Sequence, residues 1–196
     1  MREKYHLKTN PKAFFRPKVW NEFYNALKEK QKPYFKIVIN TGARINEIRH
    51  LKVADIDFEN KTLTFYITKV KSRLGEKRSV PREIKLSGQF LSWLQRWIRT
   101  NKLKQTDTFN IPTTAAIRKT LGVKLSKMNV RDWEDFSSHN CRKTHGTWLM
   151  AMGIDGTAVA ARLGHDANTL LKSYASPDIF TEEDKVLIKD ILGDLV

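Results

Sequence analysis

A single cysteine, Cys141, stands among the 196 residues. One thiol can form neither an internal disulfide nor a multi-cysteine zinc site, which points to a reducing compartment. No apolar run approaches the ~20 residues that cross a bilayer. The opening MREKYHLKTNPKAFF also lacks the apolar centre of a signal peptide, so the expectation is a cytoplasmic protein without a membrane partner. Glycine and proline are sparse, nine and six, and no linker, repeat or low-complexity tract divides the chain. Acidic residues are in short supply: 21 against 36 Lys and Arg, for a net charge of +15. Such a surplus points to a polyanion, most simply nucleic acid. What is present suits one packed domain, with five Trp, ten Phe and five Tyr as core anchors.

The basic surplus is uneven. From residue 151 onward, eight acidic residues outnumber four basic ones, so this end is expected to pack on protein rather than on phosphate. Glu182, Glu183 and Asp184 equally suit a helix N-terminus, where acids are favoured. Residues 1–16 read as a basic arm or linker, 17–180 as the main domain, and 181–196 as a terminal helix.

Periodicity fills in the body. Trp20, Phe23, Tyr24 and Leu27 lie at helical spacing within 18–30. Pro33 opens a second helix ended by Thr41-Gly42, and a third runs over 44–51. The period then changes to strands at 53–58, 62–68 and 77–82, with Pro81 marking an edge strand or a strand end. Phe90, Trp93, Leu94, Trp97 and Ile98 share one face of a long helix. Thr113 or Thr114 caps another, ending near Gly122. Further helices are expected at 138–152, 157–163 and 168–175, and a last one is capped by Thr181. The fold class is mainly α with a small three-stranded antiparallel sheet (α+β).

The chemistry concentrates in SSHNCRKTHGTWLMAMGIDGTAVAARLGHDANTLLKSYA. His139 and Arg142, three apart, share a helical face and can meet one ligand. His165 sits at the helix-breaking Gly164, and Tyr174 follows nine residues on. Upstream, TGARINEI places Arg44 just after a glycine turn, with Glu47 one helical turn later. Arg44, Lys69, His139-x-x-Arg142, Gly164-His165 and Tyr174, in that order and spacing, resemble the tyrosine recombinases, the phage-type integrases and chromosome-dimer resolvases. The resemblance covers residues 17–180 or so.

That resemblance implies the DNA breaking-rejoining fold and a site-specific strand transferase working without metal, cofactor or ATP. Arg44, Lys69, His139, Arg142, His165 and Tyr174 would be catalytic, with Tyr174 the nucleophile and Glu47 orienting Arg44 or a neighbouring basic group. Lys69 is preferred over Lys71 as the hairpin lysine. Lys71, Arg73, Lys77 and Lys143, with Lys12 and Lys18, are expected to touch the DNA backbone. Partners would be double-stranded DNA and, on it, a tetramer of protomers that are monomeric when free. The location would be the nucleoid.

Elementary chemistry agrees with these roles. A tyrosine of pKa ~10 is about one-thousandth ionised at neutral pH, so it needs a base or a strong positive field. Guanidiniums offer permanently charged forks for a phosphate and its transition state. Histidine exchanges protons near pH 7, and a lysine crowded by cations can act as an acid.

Bland alternatives attach to the neighbours. His145 is on the stripe of His139 and Arg142, but the intervening arginine would repel a metal, leaving it structural or phosphate-contacting. Cys141 suits a buried apolar position. A binding-only DNA regulator and a type IB topoisomerase-like relaxing enzyme remain alternative readings. Family members often place a helical DNA-binding domain ahead of the catalytic one. The chain is therefore expected to be either an excised catalytic domain or a short recombinase of the fimbrial-switch kind.

Overall fold

In the computed structural model the described residues are 14–71, 77–164 and 179–196, with the backbone alone at 67–71 and 77–80. Helices α1 (Pro17–Asn25), α2 (Lys32–Thr41) and α3 (Ile45–His50) lead into a sheet of β1 (Ile56–Asp57), β2 (Thr62–Lys71) and β3 (Lys77–Lys85). Then come α4 (Gly88–Thr100), α5 (Thr114–Lys127), α6 (Ser138–Ala151), α7 (Gly156–Leu163) and α8 (Glu182–Leu192). The sheet is antiparallel in the order β1-β2-β3. Among the described residues no helix is long and apolar enough to cross a membrane.

Helix α6 is the axis of the domain. Every residue from Asn140 to Leu149 is buried, and α2, α5 and α7 pack around it. Trp148 meets Trp20 edge-on at 6.1 Å, and Phe15 meets Trp20 the same way at 5.1 Å. Polar groups inside this aromatic cluster are satisfied: Trp148 Nε1 donates to the Phe15 carbonyl at 3.0 Å, and Phe15 N–H donates to Thr144 Oγ1 at 2.9 Å. Phe15, read with the arm, is therefore fully buried, and the packed body includes Phe14–Arg16.

The sheet lies flat on the helices because its strands alternate. Leu63 and Phe65 of β2, with Arg82 and Ile84 of β3, face inward; Tyr66, Pro81 and Glu83 face out. Pro81 is tolerated because β3 is an edge strand. Helix α8 begins at a Thr181 cap, whose Oγ1 accepts the Asp184 N–H at 3.1 Å. It packs on α1 and α2, burying Ile188, Ile191 and Leu192 against the chain's own core.

Several boundaries differ from those expected. Residues 53–58 hold a single 3-10 turn, Val53–Asp55, and only two strand residues, because Lys52 N–H bonds to Asp55 Oδ2 and turns the chain. Strand β2 runs past residue 68 to Lys71, with a register shift between Ile67 and Val70. Helix α5 continues beyond Gly122 to Lys127 because Ile117, Leu121 and Leu125 form its buried stripe and Gly122 passes close to the Trp133 ring. The expected helix at 168–175 lies outside the described residues.

Candidate active site

Two helix ends build the site. Helix α2 stops at Gly42 and α7 at Gly164, both left-handed, with φ of 63° and 61°. Only glycine fits at Gly42, since a Cβ there would lie 2.4 Å from Leu163 Cδ2 and 2.6 Å from His145 Cδ2. The close approach brings the carbonyl-rich, negative ends of α2 and α7 together, a natural seat for cations.

Arginines fill that seat. Arg142, from α6, is almost wholly buried, and its Nη1 donates to the Gly42 carbonyl at 2.6 Å while Nη2 donates to the Leu163 carbonyl. Arg44 caps α3 right after the glycine turn, and its Nη2 donates to the Gly164 carbonyl at 3.2 Å. Its side chain remains 43% exposed against 2% for Arg142. One guanidinium of the pair is thus deeply set and the other is presented to solvent.

Glu47 joins them. Its Oε2 accepts the Arg44 backbone N–H at 2.6 Å, tying down the start of α3, and its Oε1 accepts Arg44 Nη1 at 3.2 Å. Arg142 Nη1 lies 3.8 Å from Oε2. A third guanidinium, Arg82 of β3, donates Nη2 to the same oxygen at 2.8 Å, gives Nη1 to the Arg162 carbonyl and lies 5.0 Å from the centre of the Phe65 ring. Burial pushes Arg82 below its ordinary pKa, while Glu47 pulls it back.

His145 is structural. Its ring is fully buried, Nδ1–H donates to the Ile39 carbonyl at 2.7 Å, and Nε2 accepts Arg162 Nε–H at 3.1 Å. Those partners fix the neutral tautomer. Burial first, and then the Arg162 charge, hold its pKa well below the usual histidine value. Arg162 also donates to the Lys85 and Asn40 carbonyls at 2.9 and 3.1 Å, and burial lowers its pKa to about 10.

The structure therefore brings Arg44, Arg142 and Glu47 together, with His139 exposed one turn ahead of Arg142 on α6. Lys69 lies on β2 inside the register shift, where residues 68 and 69 oppose residue 79. The side chains of Lys69, Lys71 and Lys77, together with Arg73, His165 and Tyr174, lie outside what is described. Lys143, expected to touch the DNA backbone, is 4% exposed within the buried run of α6. Cys141 is buried, and that burial raises its thiol pKa.

Residues 13–179 match the phage integrase family. The chain belongs to that family.

Among curated proteins it is similar to the integrase of Staphylococcus phage L54a, 28% identical over 158 residues, covering 68% of this chain and 44% of the relative. Tyrosine recombinase XerC of Bifidobacterium longum is 25% identical over 157 residues, covering 74% of this chain and 42% of that protein. The integrase-family chain thus spans less than half the length of these relatives. Among solved structures, the Tn1549 transposon integrase in complex with a circular intermediate DNA gives a TM-score of 0.65 at 20% identity, over 93% of this chain and 67% of the other. XerH recombinase bound to its difH substrate gives 0.60 at 22%, over 82% and 49%. These likenesses establish the tyrosine recombinase catalytic fold.

Two arginines of this integrase-family site were missed in the sequence. Arg82 had a signal: in Arg82-Glu83-Ile84-Lys85-Leu86 the alternation puts it inward with Ile84 and Leu86, a charge where an apolar residue belongs. Arg162 had a weaker one, three residues after the buried Val159 and just ahead of the Gly164 helix end.

Proposed function

We propose that the chain cuts and rejoins DNA strands through a covalent tyrosyl intermediate. The observation that carries this reading is the convergence of Arg44 and Arg142, distant in sequence, on one carboxylate and one helix end. Simple DNA binding does not call for a guanidinium sunk so deeply; positioning a phosphate for chemistry does. In the proposed reaction the Tyr174 phenol gives up its proton and attacks a DNA phosphorus. The bond to the 5′-oxygen breaks, leaving a 3′-phosphotyrosyl link and a free 5′-hydroxyl. A 5′-hydroxyl from a partner strand then reverses the step, so the bond energy is retained and no ATP is required.

Arg44 and Arg142 would steady the charge on the non-bridging oxygens, a role usually worth about 3–4 kcal/mol per donor. His139 and His165 would manage the phenol proton, and Lys69 would donate to the leaving oxygen. Double-stranded DNA is the proposed partner, on which protomers would gather as a tetramer, and the nucleoid the proposed location. Residues 17–180 would form the catalytic unit, with residues 181–196 as its terminal helix.

A pool of nicked suicide duplexes randomised around the nick tests this reading without knowledge of the target. Wild-type protein should form an SDS-stable protein–DNA adduct, undiminished by EDTA, and Tyr174→Phe should form none. An adduct that survives in the Phe variant, or none from wild type anywhere in the pool, overturns it.

A further inference from the structure

Three consecutive carbonyls end α7, and each receives a different guanidinium. Arg162 O accepts from Arg82, Leu163 O from Arg142, and Gly164 O from Arg44. The same three guanidiniums surround a single carboxylate, Glu47, and Arg82 makes the shortest side-chain approach to it, at 2.8 Å. Arg82 differs from the other two in origin, since it comes from the inner face of the β2–β3 hairpin, opposite Phe65 in the strand register. It is 8% exposed and both of its terminal nitrogens are engaged. Of the three it is the one that the family resemblance does not assign to a phosphate, and the Phe65 ring lies 5.0 Å from its guanidinium.

We infer that Arg82 is a positioning residue for the arginine pair: by gripping Glu47 and the end of α7 at once, it fixes the two supports on which Arg44 and Arg142 are aimed and ties both to the hairpin that carries Lys69. The assignment rests on the proposed strand-transfer chemistry. Arginine is required because its planar fork reaches two acceptors in different elements, whereas a lysine ammonium delivers one point charge. Without the fork, Glu47 would keep the Arg44 backbone N–H but lose its strongest side-chain partner. The carboxylate would then be free to turn, and both guanidiniums would shift with it. A displacement of about 1 Å in such a group can lower a rate by ~10²-fold.

The test compares Arg82→Met and Arg82→Lys with wild type on a duplex recovered from the suicide pool, at a temperature where circular dichroism shows each fully folded. Arg82→Met should slow single-turnover adduct formation by ~10²-fold while DNA affinity changes by less than about threefold, the split expected when an interaction acts only in the transition state. Arg82→Lys should recover part of the rate. A wild-type rate from folded Arg82→Met overturns the assignment, as does an equal loss of rate and affinity. Should the Met variant not fold, Arg82→Lys is paired with Glu47→Gln. Acting through Glu47 means the double variant should be scarcely slower than Glu47→Gln alone; fully additive losses overturn it. If wild type forms no adduct, the proposed chemistry has failed on its own terms. The positioning is then read from arginine Nε–Hε NMR signals, where Arg82→Lys should move those of Arg44 and Arg142 together; unmoved signals reject it.

Discussion

Two faces of α6 are both buried and held quite differently. One face, through Thr144 and Trp148, lies among aromatic rings, where stability follows from apolar area and close packing. The other face carries Arg142 into a cluster of carbonyls and one carboxylate, where stability depends on every charge keeping its partner. An aromatic interior tolerates approximate shapes. An ionic interior fixes the direction of each group, and the molecule sets its ionic interior where a phosphate would need to be oriented.

Three substitutions separate these regimes. The largest loss of stability should come from Trp148→Ala, which empties the aromatic cluster and strands the Phe15 carbonyl. Urea denaturation should show about 3–5 kcal/mol lost, with adduct formation per folded molecule unchanged in the cold. Glu47→Gln should cost less in stability, about 3 kcal/mol because guanidiniums are left around a neutral amide. Its rate of adduct formation should nevertheless fall by ~10²-fold, so a rate loss no greater than that of Trp148→Ala would erase the distinction.

The smallest effect concerns His145, which borders both regions. Its folded pKa lies well below the ordinary 6.5, so the unfolded chain binds the proton more readily. The stability it supports is complete above pH ~6.5 and declines as the pH falls, with a limiting slope of about 1.4 kcal/mol per pH unit. Urea midpoints between pH 7.5 and 5 should show this decline, and His145→Gln should flatten it.

The sequence exposes the aromatic regime well and the ionic one only in part. Trp20, Phe23, Phe90 and Leu94 announce their burial by helical spacing alone. So do the caps at Thr113 and Thr181, where a side-chain oxygen precedes an apolar periodic run. Arg44, Glu47 and Arg142 were found through motif order, because a guanidinium looks the same in sequence whether it is sunk or exposed. Lys143 shows the limit. Its charge suggested a surface, but its fate was set by α6 being enclosed, which is a tertiary fact. Arg82 and Arg162 are harder to read for the same reason: several of their partners are main-chain carbonyls of elements far away in the chain, and backbone acceptors leave no trace in residue identity. The 3-10 turn at Val53–Asp55 was misread as strand because a β-branched residue and alternating polarity imitate one over so short a stretch.

Arg16 leaves one practical consequence. Its guanidinium donates to the Ile179 carbonyl at 2.7 Å, pairs with Asp184 at 3.5 Å and rests 5.2 Å from the centre of the Phe180 ring. The segment that leads into α1 is thereby moored to the threshold of α8. A fluorophore or affinity tag fused just ahead of Phe14 would emerge beside α8, so a donor and acceptor dye placed at those two points would report on whether the mooring holds when DNA is engaged.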